Sequence, residues 1–92
     1  MLALDYGTKA EQFDYDVDAE LFPARGRKSG RQPIGYRRFT RAADAIRFAI
    51  EEMPPELLVG AYLEVDELRF DSGEIRRLYE RAEYPLARRV AA

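Results

Sequence analysis

The sequence contains no cysteine, no histidine and no tryptophan. Cysteine and histidine supply the thiolate and imidazole groups of most zinc and haem sites, and they form the Ser-His and Cys-His pairs of nucleophilic catalysis. Their absence excludes disulfide frameworks and these classes of site. Ser29 and Ser72, the only serines, have no histidine to activate them. We therefore expect no enzyme activity, no cofactor and no metal site.

Long apolar segments are also missing. The longest apolar run spans residues 57–63, counting one glycine, whereas a membrane-spanning helix needs about 20 residues. The first residues carry no basic region followed by an apolar stretch, as a signal peptide would. We expect no membrane association and a cytoplasmic location. The 92 residues, 47% of them hydrophobic with a net charge of −2, fit a single globular domain.

Charge is distributed unevenly along the chain. Residues 1–20 have a net charge of −5, residues 21–43 carry seven basic and no acidic residues, and residues 44–92 have a net charge of −4. The basic segment therefore either pairs with the acidic opening of the chain or meets an external anion. Because four acids alternate over residues 14–20 and repel one another, we expect residues 1–17 to form a flexible acidic arm.

Alternation of apolar residues with a period of two predicts three strands, at residues 18–23, 34–39 and 58–66. Residues 25–33 contain two glycines, a proline and no apolar side chain, which indicates a loop between two antiparallel strands. At Asp66-Glu67 the apolar positions shift from odd to even numbers, and this shift predicts a bulge or a tight bend.

Two helices are predicted from the period of 3.6 residues. The first spans residues 41–53, with Thr40 as its N-cap and Pro54-Pro55 as its end. The second spans residues 72–83 and starts with a capping box formed by Asp71 and Glu74. Phe48 lies off the apolar stripe of the first helix, either as a contact at the flank of the core or as an exposed aromatic that meets a partner.

These elements predict an α+β domain in the order β-β-α-β-α, with a small three-stranded sheet covered on one face by two helices. The domain is expected at residues 18–86, after the arm and before a frayed tail at residues 87–92. The predicted core consists of Leu21, Ile46, Ile50, Leu63, Val65, Ile75 and Leu78.

Basic and aromatic side chains between residues 25 and 48 are the candidate binding residues. They are Arg25, Arg27, Lys28, Arg31, Tyr36, Arg37, Arg38, Arg41 and Phe48. We expect a small non-enzymatic protein-interaction module with a protein partner. The alternative is a weak nucleic-acid-binding protein that uses the arginine-rich stretch at residues 25–41.

Three resemblances accompany these patterns. Residues 23–28, Pro-Ala-Arg-Gly-Arg-Lys, resemble the core of AT-hook peptides, in which two arginines enter the minor groove on either side of a glycine; Lys28 replaces the proline usual there. The second predicted strand and first helix resemble the start of ribbon-helix-helix proteins, but a strand pattern follows where their second helix begins. Strings at residues 19–23, 35–39, 62–65 and 84–86 are similar to small bacterial proteins of unassigned function, a resemblance that implies no activity.

Overall fold

A computed structural model describes residues 13–24 and 35–88 of the chain. Within them the fold is α+β, as predicted, but it has four strands and three helices rather than three and two. The strands are β1 (Ala19–Phe22), β2 (Arg37–Phe39), β3 (Tyr62–Val65) and β4 (Leu68–Asp71). The helices are α1 (Ala42–Arg47), which continues as a π-helical turn (Phe48–Glu52), α2 (Pro55–Leu58) and α3 (Ser72–Glu80).

The four strands form one sheet in the order β2-β1-β3-β4, and all neighbouring strands are antiparallel. The predicted antiparallel pairing of the first two strands is confirmed. Because β1 lies between β2 and β3 and is antiparallel to both, these two strands run in the same direction and are not paired with each other. β1 is therefore an inner strand, and β2 and β4 form the two borders of the sheet.

Of the two alternatives predicted at Asp66-Glu67, a bulge or a tight bend, the tight bend is the one that forms, as a complete hairpin turn. Both residues have positive φ angles, 51° and 66°, as a two-residue turn of type I′ requires. Val65 then lies directly opposite Leu68, and residues on opposite positions share a face of the sheet. The turn thus changes odd to even numbering without changing the face, and it creates the fourth strand that the sequence pattern did not reveal.

The predicted third strand begins later than expected. Residues 55–58 form the short helix α2, with Pro55 in its first turn, where a fixed φ angle and a missing N–H are tolerated. Val59 follows with an αR backbone and a side chain that is 71% exposed. The prediction of strand at residues 58–61 is therefore wrong, because proline starts a helical turn there.

The core lies between one face of the sheet and the helices. Its buried side chains include Leu21 and Leu63 from the sheet, Ile46 from α1, and Ile75 and Leu78 from α3. The predicted core is confirmed at six of its seven positions; Ile50 is only half-buried. Ile50 belongs to the π-helical turn, where the spacing of residues around the axis departs from the 100° used to predict the helix face.

The start of α1 explains why part of the predicted acidic arm is ordered. Thr40 is exposed and is not the N-cap; α1 begins at Ala42 without a side-chain cap. The first N–H groups of a helix have no partner within it. Here the Ala42 and Ala43 N–H groups donate to the carbonyl oxygens of Val17 and Tyr15, at 2.7 and 3.0 Å.

The Tyr15 side chain is buried in the core as well. Its ring contacts Phe13 and Tyr84 edge-on, and its hydroxyl donates to the Leu78 carbonyl at 2.7 Å. Residues 13–17 thus belong to the domain, and the prediction of a flexible arm is wrong for them. The rest of that arm, residues 1–12, lies outside the described residues.

The end of α3 is held by side chains from both sides. Leu78 and Tyr79 are in its last turn, where carbonyl groups lack N–H partners within the helix. The Tyr15 hydroxyl donates a hydrogen bond to the Leu78 carbonyl. The Arg88 guanidinium donates to the Tyr79 carbonyl at 2.7 Å and to the Arg81 carbonyl at 2.6 Å. The predicted frayed tail is therefore wrong for Arg88, while residues 89–92 lie outside the description.

Candidate interaction surfaces

Of the nine candidate binding residues, Arg25, Arg27, Lys28 and Arg31 lie outside the described residues. Of the other five, Tyr36, Arg37 and Arg38 lie at strand β2, Arg41 lies just before α1, and Phe48 starts the π-helical turn. Tyr36 and Arg38 lie on the open face of the sheet, which is the face opposite the core. Arg37 and Phe48 meet at the core side of the sheet border. Arg41 precedes α1 and points to neither cluster.

Arg38 and Arg41 are paired with acids from the opening of the chain. The Arg38 guanidinium lies 2.5 Å from the Asp18 carboxylate, and Arg41 lies 3.1 Å from Asp16. The hydrogen bond from Arg38 lowers the pKa of Asp18, and the same bond raises the pKa of Arg38. The sequence left two alternatives for the basic segment, pairing with the acidic opening of the chain or binding of an external anion. For Arg38 and Arg41 the structure shows the first, so the positive charge of the basic segment is partly neutralised.

Arg37 is placed differently. Its Cζ atom lies 4.6 Å from the centre of the Phe48 ring and 5.1 Å from that of Phe39, an arrangement typical of cation–π contact. No carboxylate of the described residues lies within ion-pair distance of it. Phe48 is half-buried beside Phe39, so of its two alternatives the flank contact is the one that forms.

A row of aromatic side chains crosses the open face of the sheet. The aromatic row consists of Tyr36, Phe22 and Tyr62, with Arg69 at its end. The Phe22 and Tyr62 rings stack at 4.7 Å with an angle of 13°, Tyr36 lies 5.1 Å from Phe22, and the Arg69 Cζ atom is 4.1 Å from the Tyr62 ring centre. None of the three rings belongs to the core cluster, and Tyr36 is 52% exposed.

Charged residues form a second line across the open face, next to the aromatic row. Glu20 and Glu64 lie opposite each other on the two inner strands, and each faces an arginine on a border strand, Arg38 and Arg69. Arg69 donates to Glu64 at 3.2 Å. Glu20 also accepts a hydrogen bond from the Tyr36 hydroxyl at 3.2 Å. The pKa of Tyr36 is raised, mainly because its hydroxyl is partly desolvated and secondly because of this hydrogen bond. The four charges of this line balance one another.

An open groove of about 560 Å³ continues the aromatic row beyond β4. It is bounded by Tyr62 and Arg69 from the sheet and by Gly73 and Arg77 from the first turns of α3. The capping box already uses the Asp71 and Glu74 carboxylates at the helix start. The groove is therefore lined by an aromatic ring, a glycine backbone and two guanidinium groups.

The described carboxylates are all at least partly exposed, and no group of three or more potential ligands within these parts of the chain could hold a metal ion. Likewise, none of the helices in these two segments combines the length and apolar composition needed to cross a membrane.

The sequence interpretation missed three members of the aromatic row: Phe22, Tyr62 and Arg69. The available signal was an aromatic residue in the outward phase of a strand, since Phe22 follows the inward Leu21 and Tyr62 precedes the inward Leu63. What could not be read from the sequence is that these outward positions become direct neighbours, because β1 pairs with β3.

Comparison with models of known protein families, with curated proteins and with solved structures found no match. The resemblances drawn from short strings of the sequence therefore stay predictions.

Proposed function

We propose that this chain is a small non-enzymatic protein-interaction module whose partner docks on the open face of the sheet, across the aromatic row. The observation that carries the proposal is the row itself: three aromatic rings and an arginine lie side by side on a face turned away from the core. Tyrosine and arginine are among the residues that contribute most to binding energy at protein interfaces.

The stacking geometry favours a protein partner over nucleobases. A base binds an aromatic side chain by covering a free ring face. In this row Tyr62 has Phe22 stacked on one side and Arg69 on the other, since β3 lies between β1 and β4. Both faces of Tyr62 are thus occupied. The ring edges and hydroxyl groups that stay accessible suit the apolar and polar side chains of a protein.

The mixed charge of the open face supports the same partner class. A surface that follows a phosphate backbone needs an excess of positive charge. Here each arginine beside the aromatic row faces a glutamate, which leaves a surface of mixed sign. Mixed charge around an aromatic centre is the usual composition of the rim of a protein–protein interface.

The proposal is tested by affinity capture from the native cells with the tagged protein and single variants. Tyr62→Ala and Tyr36→Ala remove exposed parts of the row, and Val59→Ala is the matched control, because Val59 is 71% exposed and lies off the row. A specific protein should be recovered with the wild type and with Val59→Ala, and reduced by about tenfold or more with Tyr62→Ala, the loss expected at an interface hot spot. Thermal unfolding checks that each variant is folded.

Equal recovery with all four proteins would contradict the proposed surface. Recovery of nucleic acid in place of protein would contradict the proposed partner class.

The alternative function is weak nucleic-acid binding by the stretch at residues 25–41. Arg38 and Arg41 already form ion pairs with acids of the chain itself. The support for this alternative is therefore the sequence of the predicted loop at residues 25–33, which contains Arg25, Arg27, Lys28 and Arg31. If the alternative holds, AT-rich duplex should bind better than GC-rich duplex at low salt, and joint replacement of Arg25 and Arg27 by glutamine should abolish binding. Absence of binding at low salt would eliminate it.

A further inference from the structure

Within the described residues, strand β2 forms one border of the sheet, and only its inner edge is paired, by β1. Among the described residues no strand pairs with its outer edge. The N–H and C=O groups of such an edge are available to another chain. We infer that this outer edge accepts an extended acidic segment of a partner protein as a fifth strand, with Arg37 binding a carboxylate of that segment. The site is separate from the aromatic row and does not depend on it.

The charge of β2 selects the kind of strand that can be added. Arg37 and Arg38 are adjacent on β2, and no acidic residue occurs between residues 21 and 43. A second copy of β2 placed along this edge would bring arginines together, which is unfavourable. An acidic strand has the opposite effect. The inner edge of β2 shows this complementarity already, because Arg38 pairs there with Asp18 near the start of β1.

The position of the Arg37 side chain is suited to binding a carboxylate of such a strand. Its guanidinium lies over Phe48 and Phe39, which limits its freedom, and it has no carboxylate partner within the described parts of the chain. A guanidinium held by stacking still presents its N–H groups at its edge and can bind a carboxylate through two parallel hydrogen bonds. Because the side chain is already positioned, binding costs less conformational entropy than it would for a freely moving arginine.

The spacing along β2 defines a pattern in the added strand. Arg37 and Phe39 are two residues apart and therefore lie on the same face of the sheet. Residues of an added strand opposite them also lie two apart on that face. A carboxylate opposite Arg37 and an apolar side chain opposite Phe39 satisfy both positions. The expected partner segment thus contains an apolar and an acidic residue separated by one residue, in extended conformation.

The test uses a synthetic nine-residue peptide with blocked ends, composed of threonine and serine around a central valine-threonine-glutamate. A second peptide has glutamine in place of the glutamate. Both are titrated into the isotope-labelled full chain, and binding is followed by the amide NMR signals of residues 35–41 and, for the aromatic row, of Phe22 and Tyr62. The protein variants are Arg37→Gln, Arg37→Lys and, as a matched control, Arg76→Gln, since Arg76 is an exposed arginine of α3 away from the edge.

We expect the glutamate peptide to bind wild type and Arg76→Gln about tenfold more tightly than the glutamine peptide, the effect of one charge-assisted hydrogen-bonded pair. The difference should disappear in Arg37→Gln. Arg37→Lys, which keeps the charge but loses the planar guanidinium, should show a reduced difference, and it carries the test if Arg37→Gln fails to fold. Amide exchange at residues 37–39 should slow in the complex.

Four results would overturn the inference: no saturable binding at millimolar peptide, equal affinity of the two peptides, discrimination that survives in Arg37→Gln, or signal changes confined to the aromatic row. In a parallel titration, saturation of the signals around Arg37 by oligothymidylate but not by peptide would show a nucleic-acid ligand and would also overturn it. Signal changes confined to the aromatic row would point to the surface of the proposed function, and the other results leave capture through Tyr36 and Tyr62 untouched, so the two proposals fail separately.

Discussion

Replacing Tyr15 by phenylalanine removes a single oxygen atom from the core and tests whether residues 13–17 belong to the domain. The Tyr15 hydroxyl donates to the Leu78 carbonyl at 2.7 Å in a buried position. That carbonyl lies in the last turn of α3 and has no N–H partner within the helix. Without the hydroxyl, a buried acceptor is left unpaired, and this costs about 1 to 3 kcal/mol.

The matched control is Tyr36→Phe, which removes a tyrosine hydroxyl that also makes a hydrogen bond, but on the exposed open face. Its effect should stay within about 0.5 kcal/mol. In urea the free energy of unfolding of a small domain falls by about 1 to 3 kcal/mol per molar. With a slope of about 2 kcal/mol per molar, the midpoint for Tyr15→Phe should drop by roughly 0.5 to 1.5 M, and that for Tyr36→Phe should hardly move.

A chain that starts at residue 18 gives the larger perturbation, because it also loses Phe13 and the carbonyl acceptors at the start of α1. Truncation of a buried aromatic alone costs about 3 to 5 kcal/mol. A chain that starts at residue 13 retains every contact described for this segment and is the control. If Tyr15→Phe matches Tyr36→Phe in midpoint, and the chain from residue 18 unfolds like the chain from residue 13, the segment is an independent arm and our reasoning is wrong.

Three further predictions concern local features. Glu67→Gly should stabilise the protein by about 0.5 to 1 kcal/mol, seen as a melting temperature a few degrees higher, because Glu67 has a positive φ angle that glycine adopts without strain; a lower melting temperature would refute the turn. Asp71→Ala should destabilise it by about 1 kcal/mol in urea unfolding through loss of the capping box at α3, with Glu80→Ala as an exposed control of no effect. Burial raises the pKa of Tyr84 to about 12 from 10.0, so its neutral form is favoured in the folded state; this contribution is complete below pH 10 and is lost as the pH rises towards 12. Tyr84→Phe should therefore make unfolding free energies less dependent on pH between 10 and 12, and an unchanged slope would contradict the assignment.

The parts of the fold that depend on local pattern were predictable from the sequence. Asp71 and Glu74 stand at the spacing of a capping box, and α3 begins there with both hydrogen bonds formed. Alternation of apolar residues located β1 and the core positions of β3, because burial on one face of a sheet imposes a period of two. The π-helical turn that continues α1 ends at Glu52, next to the predicted helix end at Met53 and before two prolines that cannot continue a helix.

The parts that depend on tertiary context were not predictable. The φ angles of Asp66 and Glu67 make a hairpin turn from residues that are not the usual asparagine and glycine, so turn chemistry gave no signal. The sequence of residues 13–17 suggests acidic side chains that repel one another. In the fold, however, backbone carbonyls of this segment accept hydrogen bonds from the first N–H groups of α1. Asp16 and the following Asp18 form ion pairs with arginines. The aromatic row arises from pairing between strands that are about 40 residues apart in sequence, which no local pattern reports.

The position of β1 within the sheet has a consequence for how the chain is made. β1 is synthesised first among the strands, but it holds β2 on one side and β3 on the other. Until the ribosome has released residue 65, the β1–β2 pair has no third strand, and two-stranded hairpins are only marginally stable in water. We expect that the sheet cannot assemble strand by strand as the chain emerges and instead forms in one step once residue 65 has left the ribosome. A chain stopped at residue 58 should therefore show no slow amide exchange in β1, and protection there would refute this order of assembly.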